Sequence, residues 1–171
     1  MSASVEILDA LAALVRAGTP LVVVGVGGIN FYAHDASQVV ATEGVVVLLA
    51  PRADALRIAL EVLEGIGFTF GVGDEPFVDI RDDAILANIV RSGAGLSARH
   101  DSGAVLDLML SGVGLSWPDL IADAAAFRLG DVEIRVGRLG KLLHAKRLAG
   151  RPKDLEFLRL YAARFSESDE A

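Results

Sequence analysis

Residues 21–30 read Leu-Val-Val-Val-Gly-Val-Gly-Gly-Ile-Asn, and residues 40–50 read Val-Ala-Thr-Glu-Gly-Val-Val-Val-Leu-Leu-Ala. The first stretch is a β-branched run that gives way to glycines. It predicts a central strand from Leu21 to Gly25, a tight turn at Gly25-Val26-Gly27-Gly28, and a helix from Ile29 to about Asp35. The second predicts a strand from Val45 to Ala50. A strand, a glycine turn, a helix and another strand in succession belong to an α/β or α+β domain with a mixed sheet and helices packed on it.

Working outward, Val5, Leu8, Leu11, Ala12 and Val15 predict one apolar helix face, with Ser4 as N-cap and Gly18 as stop. Pro51 is placed to start a helix whose buried face is Leu56, Ala59, Leu60 and Leu63, ended by Gly65 and Gly67. Strands are expected over Gly67 to Val72, Phe77 to Ile80, Ala104 to Leu110 and Val132 to Val136. Residues Ser92 to Gly103 read as an exposed loop and Pro118 to Phe127 as a helix. Two helices close the chain, separated by Gly150-Arg151-Pro152, with Gly as a stop and Pro as a start.

The 171 residues are 53% hydrophobic, enough for one compact domain, expected over residues 1–165, with a flexible acidic tail over residues 166–171. No Cys is present, which excludes disulfides, Cys-ligated zinc, iron–sulfur clusters and thiol catalysis. His34, His100 and His144 fit no ligand spacing. Glu6 and Asp9 stand where a signal peptide carries positive charge, and no apolar run approaches the ~20 residues that cross a bilayer. These features lead to the expectation of a cytoplasmic protein with no membrane partner.

The net charge of −7 is unevenly distributed. Residues 1–134 carry 7 basic and 18 acidic side chains, whereas residues 135–164 carry 9 and 2. Such a cationic block suits either phosphate binding or solvated helix faces. Gly25-Val26-Gly27-Gly28-Ile29-Asn30 lacks the third glycine of a dinucleotide fingerprint. The chain has neither a P-loop nor a G-x-S-x-G elbow.

Gly27-Gly28, the segment Val40 to Leu49 and the stretch Lys146-Arg147-Leu148-Ala149-Gly150-Arg151-Pro152-Lys153-Asp154-Leu155 together resemble the small bacterial nucleotidyltransferases of the minimal and AbiEii-like toxin type. The resemblance runs from about Leu8 to Phe165, and A-G-R-P-K-D is its most specific piece. It implies a nucleotidyltransferase-like mixed sheet with a C-terminal helix pair. In such enzymes two carboxylates at alternate strand positions, with a third from a neighbouring strand, hold Mg2+ against a nucleoside triphosphate. The resemblance assigns nucleotide contacts to Gly27, Gly28, Thr42, Lys146, Arg151, Lys153 and Asp154. It assigns the third carboxylate, catalytic and metal-binding, to Asp107.

The sequence departs from that pattern at the strand pair itself. The first family Asp falls on Gly44, the second on Val46, and a preceding Arg on Val40. Glu43 can reach a metal only if a bulge at Gly44 turns it. Asp79, with Arg81 on its face and Asp82 and Asp83 following, is a further strand acid, expected to form a salt-bridged edge. Two functions are therefore expected in order. The first is a pseudoenzyme with a degraded metal motif that binds a nucleotide, RNA or a protein partner. The second is an active metal-dependent transferase recruiting Glu43, Asp79 or Asp107, in the toxin–antitoxin setting that the resemblance implies.

Overall fold

The computed structural model describes residues 3–42 and 44–164, with side chains from residue 6 onward. Glu43 and the acidic tail therefore lie outside the described residues. The elements are α1 (Ala3–Arg16), β1 (Leu21–Val24), α2 (Gly25–Asn30), β2 (Val45–Leu49), α3 (Ala53–Gly65), β3 (Thr69–Val72) and β4 (Glu75–Phe77). They continue with α4 (Asp83–Ser92), β5 (Leu96–Arg99), β6 (Val105–Met109), α5 (Trp117–Ala122), β7 (Ala125–Leu129), β8 (Val132–Val136), α6 (Leu139–Ala149) and α7 (Pro152–Arg164). The strands form one mixed sheet in the order β4-β3-β5-β6-β2-β1-β8-β7, flanked by helices.

β1 pairs antiparallel with β2, from Leu21 opposite Leu49 to Val24 opposite Val46. β2 in turn runs parallel to β6, with Val46 opposite Asp107. Every residue of β1 is buried, as befits a central strand with a continuous β-branched run. Around it, α1 packs on α3 and β8, and α3 on α4. The other group is α2 on β1, β2 and α6, with α6 on α7. The buried face of α3 is Ala55, Leu56, Ala59, Leu60 and Leu63, in line with the helical spacing. No helix of the described residues is long and apolar enough to cross a membrane.

Several local expectations are corrected. The core-facing side of α1 is Ile7, Ala10, Leu11 and Leu14, while Leu8 is 42% exposed and Ser4 lies inside the helix. The short helix begins at Gly25 and ends at Asn30, so Gly27 and Gly28 sit within it rather than before it, with Gly27 beside the start of β2. Pro51 precedes α3 by two residues, and Arg52 occupies its N-cap. β4 ends at Phe77, which leaves Asp79 in a loop.

Three elements were not anticipated. Asp82 caps α4 by accepting from the Ala84 and Ile85 amides, an Asx cap unread in the acidic run. Within the expected Ser92–Gly103 loop lies β5, which pairs antiparallel with both β3 and β6. Finally, α5 stops at Ala122 and Ala125–Leu129 forms β7 against β8.

Candidate functional site

Four strands build the floor of a cleft of about 1020 Å³. Across them runs one row of partners, Val24, Val46, Asp107 and Ser97, on adjacent strands and therefore on one face. Asp107 is part-buried, and its Oδ1 accepts a hydrogen bond from Ser97 Oγ at 3.0 Å. Oδ2 has no donor among the described residues, and no cation pairs with the carboxylate. Asp107 is thus an acid in mid-strand that faces the cleft.

Gly44 is more than a missing carboxylate. A Cβ built there would lie 2.5 Å from the Val105 carbonyl oxygen of β6, too close for any side chain unless the backbone shifts. Close approach of β2 to β6 therefore demands glycine at the position where the resemblance expects its first Asp. Thr42 lines the cleft, but its hydroxyl donates to the Gly44 carbonyl at 3.1 Å, so it pins the turn into β2. Asn30 pins the same approach from the other side, giving Nδ2–H to the Val40 carbonyl at 2.9 Å and accepting from the Val40 amide at 3.0 Å.

The double glycine divides in two. Gly27 lines the cleft. Gly28 is buried, and a Cβ there would meet Leu142 Cδ1 and the Val23 carbonyl oxygen, each at 3.1 Å. Its place is in the packing of α2 on β1 and α6.

The opposite wall is the joint between α6 and α7. Gly150 takes the left-handed conformation, φ +58°, that ends α6, and Pro152 opens α7 without wasting an amide. Asp154, in the first turn of α7, reaches back to accept from the Arg151 backbone amide at 3.2 Å, the N-terminal half of a capping box. It is fully buried. Its carboxylate also takes Arg151 Nε at 2.6 Å and Lys146 Nζ at 3.2 Å. The Arg151 hydrogen bond, above all, and then Lys146 outweigh the cost of burial and hold the carboxyl down to about 2. Lys146 additionally lies over the Phe157 ring, 5.8 Å from its centroid. Lys153 is exposed and has no ion-pair partner among the described residues.

The remaining charged candidates are drawn elsewhere. Arg81 pairs with Glu61 and Glu64 of α3, not with Asp79, and Asp83 pairs with Arg57. Lys141 bridges Asp119 and Asp123, and hydrogen bonding to Asp123 raises its pKa. A second groove, of about 650 Å³ beneath the β3–β4 hairpin, contains Arg99, Asp74 and Glu75 but none of the residues singled out from the sequence.

Asp107, Gly27, Thr42, Lys146, Arg151, Lys153 and Asp154 all line the one cleft. Sequence reading missed Ser97 and Asn30. The alternation Leu96-Ser97-Ala98, apolar residues flanking a polar one, carried the signal for the first; Asn30 had been read only as an absent glycine.

The donor set bears on the metal that the resemblance implies. Among the described residues the floor offers one carboxylate, already bonded to Ser97, and one hydroxyl, while Val24 and Val46 offer nothing. No group of three His, Asp or Glu side chains of the described residues converges as ligands. Those residues do not fit a two-metal site, which needs several charged oxygens around each hard cation. No family model matches the chain, and no curated protein matches it either.

Proposed function

We propose that the protein is a nucleotide-binding pseudoenzyme on a nucleotidyltransferase-like fold, its metal site lost from the strand floor and its phosphate-facing wall kept. One observation carries this reading: segments far apart in the chain deliver Gly27, Asp107 and the cations Lys146, Arg151 and Lys153 to a single cleft. Its volume, about 1020 Å³, lies at the upper end of the roughly 300–1,000 Å³ typical of small-molecule sites, most of which are apolar with a few placed polar groups. Lys146, Arg151 and Lys153 against Asp154 and Glu156 leave that wall with a net charge of +1, which favours an anionic ligand end. The valine floor favours an uncharged, flat ligand body.

The test pairs binding with turnover. Calorimetric titration with nucleoside di- and triphosphates should give saturable binding that weakens with salt. Incubation with labelled triphosphates, Mg2+ and acceptor RNA or protein should give background transfer only. Robust transfer abolished by Asp107→Ala would show the protein to be an active enzyme instead, and absence of binding to any nucleotide would remove the reading altogether.

A further inference from the structure

We propose that the cleft selects a guanine base, read by Asp107 on the floor while the phosphates meet the helix-pair wall. This inference rests on the nucleotide reading and adds to it the identity of the base. Its starting point is the juxtaposition of a part-buried carboxylate with an apolar row. Asp107 Oδ2 is unpaired among the described residues, Oδ1 accepts only from Ser97, and Val24 and Val46 continue the row on adjacent strands.

A carboxylate accepts hydrogen bonds and donates none. In a cleft that sheds water it needs donors, and an ionised acceptor makes them count for more. Among the bases, guanine alone presents two adjacent donors on its pairing edge, the ring N1–H and the 2-amino group. Adenine and cytosine each set an amino group beside a ring-nitrogen lone pair, which would face a carboxylate oxygen repulsively. Uracil offers one N–H between two carbonyls. Flipped-out bases are read by enzymes through this same edge, with their faces packed on apolar side chains, and Val46, the part-exposed valine of the row, supplies such a surface here, while Val24 is buried beneath it.

The distribution of charge along the cleft fits the same ligand. Asp107 stands on the sheet floor, and Lys146, Arg151 and Lys153 stand at the α6–α7 joint, where they outnumber Asp154 and Glu156. A guanine nucleotide carries its donors at one end and its negative charge at the other. A ligand with phosphates placed over Asp107 would set like charges together, with no metal ligand set among the described residues to separate them.

Titration calorimetry with GDP, ADP and guanosine, on the full chain and on Asp107→Asn, tests the inference. GDP should bind about tenfold or more tightly than ADP, the discrimination of one good bidentate pair. Asp107→Asn, of nearly the same shape, should lose that preference and gain affinity for xanthosine diphosphate, whose 2-oxo group accepts from the new amide. That gain would be a positive signal that a misfolded variant could not give. Equal binding of GDP and ADP by the unaltered chain, or a guanine preference that survives Asp107→Asn, overturns the inference while leaving nucleotide binding in place. Failure of both diphosphates to bind overturns the nucleotide reading as well. Guanosine binding as tight as GDP would retain the base contact and remove the phosphate contacts.

Discussion

The floor and the wall of the cleft are built on opposite principles. The floor is a set of buried strands in which Gly44 has no room for a side chain and Val46 presents none that is polar. The wall is a helix joint organised around a buried charge, Asp154, with Arg151 and Lys146 closing on it. On the floor, the packing of β2 against β6 leaves no room for a side chain at Gly44. On the wall, the charges that resemble a phosphate site also cap α7 and tie it to α6. The Lys146–Arg151–Asp154 arrangement therefore has a structural reason to exist whether or not a nucleotide binds, and Lys153 is a cation there without an ion-pair partner among the described residues.

The largest effect that can break this contrast is removal of the buried charge. Asp154→Ala leaves Lys146 and Arg151 facing one another and opens the first turn of α7. It should destabilise the chain by about 3 kcal/mol, at the low end for a broken buried pair because Arg151 can turn to water. A chain of this size would melt roughly 6–12 °C lower, as read by thermal unfolding followed by circular dichroism. A drop of less than 2 °C would mean that the wall does not depend on the pair.

The same carboxyl predicts an acid dependence. Its folded pKa, about 2, lies below its unfolded value, so its contribution is complete above about pH 4 and disappears as pH falls toward 2. That contribution is ~2 kcal/mol. Urea midpoints of the natural chain and of Asp154→Asn should converge over this interval, and parallel curves would contradict the assignment.

The floor is probed by returning what the resemblance expects there. Gly44→Asp should cost about 2 kcal/mol, because its Cβ meets the Val105 carbonyl and strands cannot part without strain. Val46→Asp has room and lands opposite Asp107 on the neighbouring strand. Two like charges there should cost about 1 kcal/mol, regained on adding magnesium because a cation bound only by the folded chain stabilises it. Melting curves with magnesium and with chelator decide the matter: a Val46→Asp melt indifferent to magnesium would mean that the two positions do not converge on one ion.

These contrasts track what the sequence made legible. β1 and β2 were visible because apolar β-branched runs leave few alternatives, β8 because Val132, Ile134 and Val136 alternate with charged residues, and the α6–α7 joint because Gly150 and Pro152 punctuate it. β5 hid in a stretch rich in Gly and Ser, since Leu96–Arg99 is short and its partners, β3 and β6, are supplied by distant sequence. β7 was absorbed into a helix because Ala125 and Ala126 suit either form, and pairing with β8 decided the outcome. At the site, alignment placed Asp107 and Val46 as neighbours, but the clash at Gly44 and the buried role of Gly28 depend on interatomic distances that spacing does not carry. Nor could spacing separate a cation held by the fold from one that is free.

That last distinction yields the smallest and most discriminating change. Lys153 is exposed and lacks an ion-pair partner among the described residues, so Lys153→Ala should alter stability by less than about 0.5 kcal/mol. If the wall meets phosphates, the same change should weaken nucleotide binding several-fold and flatten its dependence on salt, because one exposed charge no longer contributes within the ~10 Å screening length at 0.1 M. Replacing Arg151 cannot serve for this purpose, since it would also strip Asp154 of its strongest partner and confuse loss of binding with loss of structure. Titration of Lys153→Ala at low and high salt, beside its melting curve, separates the two roles. Unchanged affinity with an unchanged melt would mark the cationic wall as a device for joining α6 to α7 and nothing more.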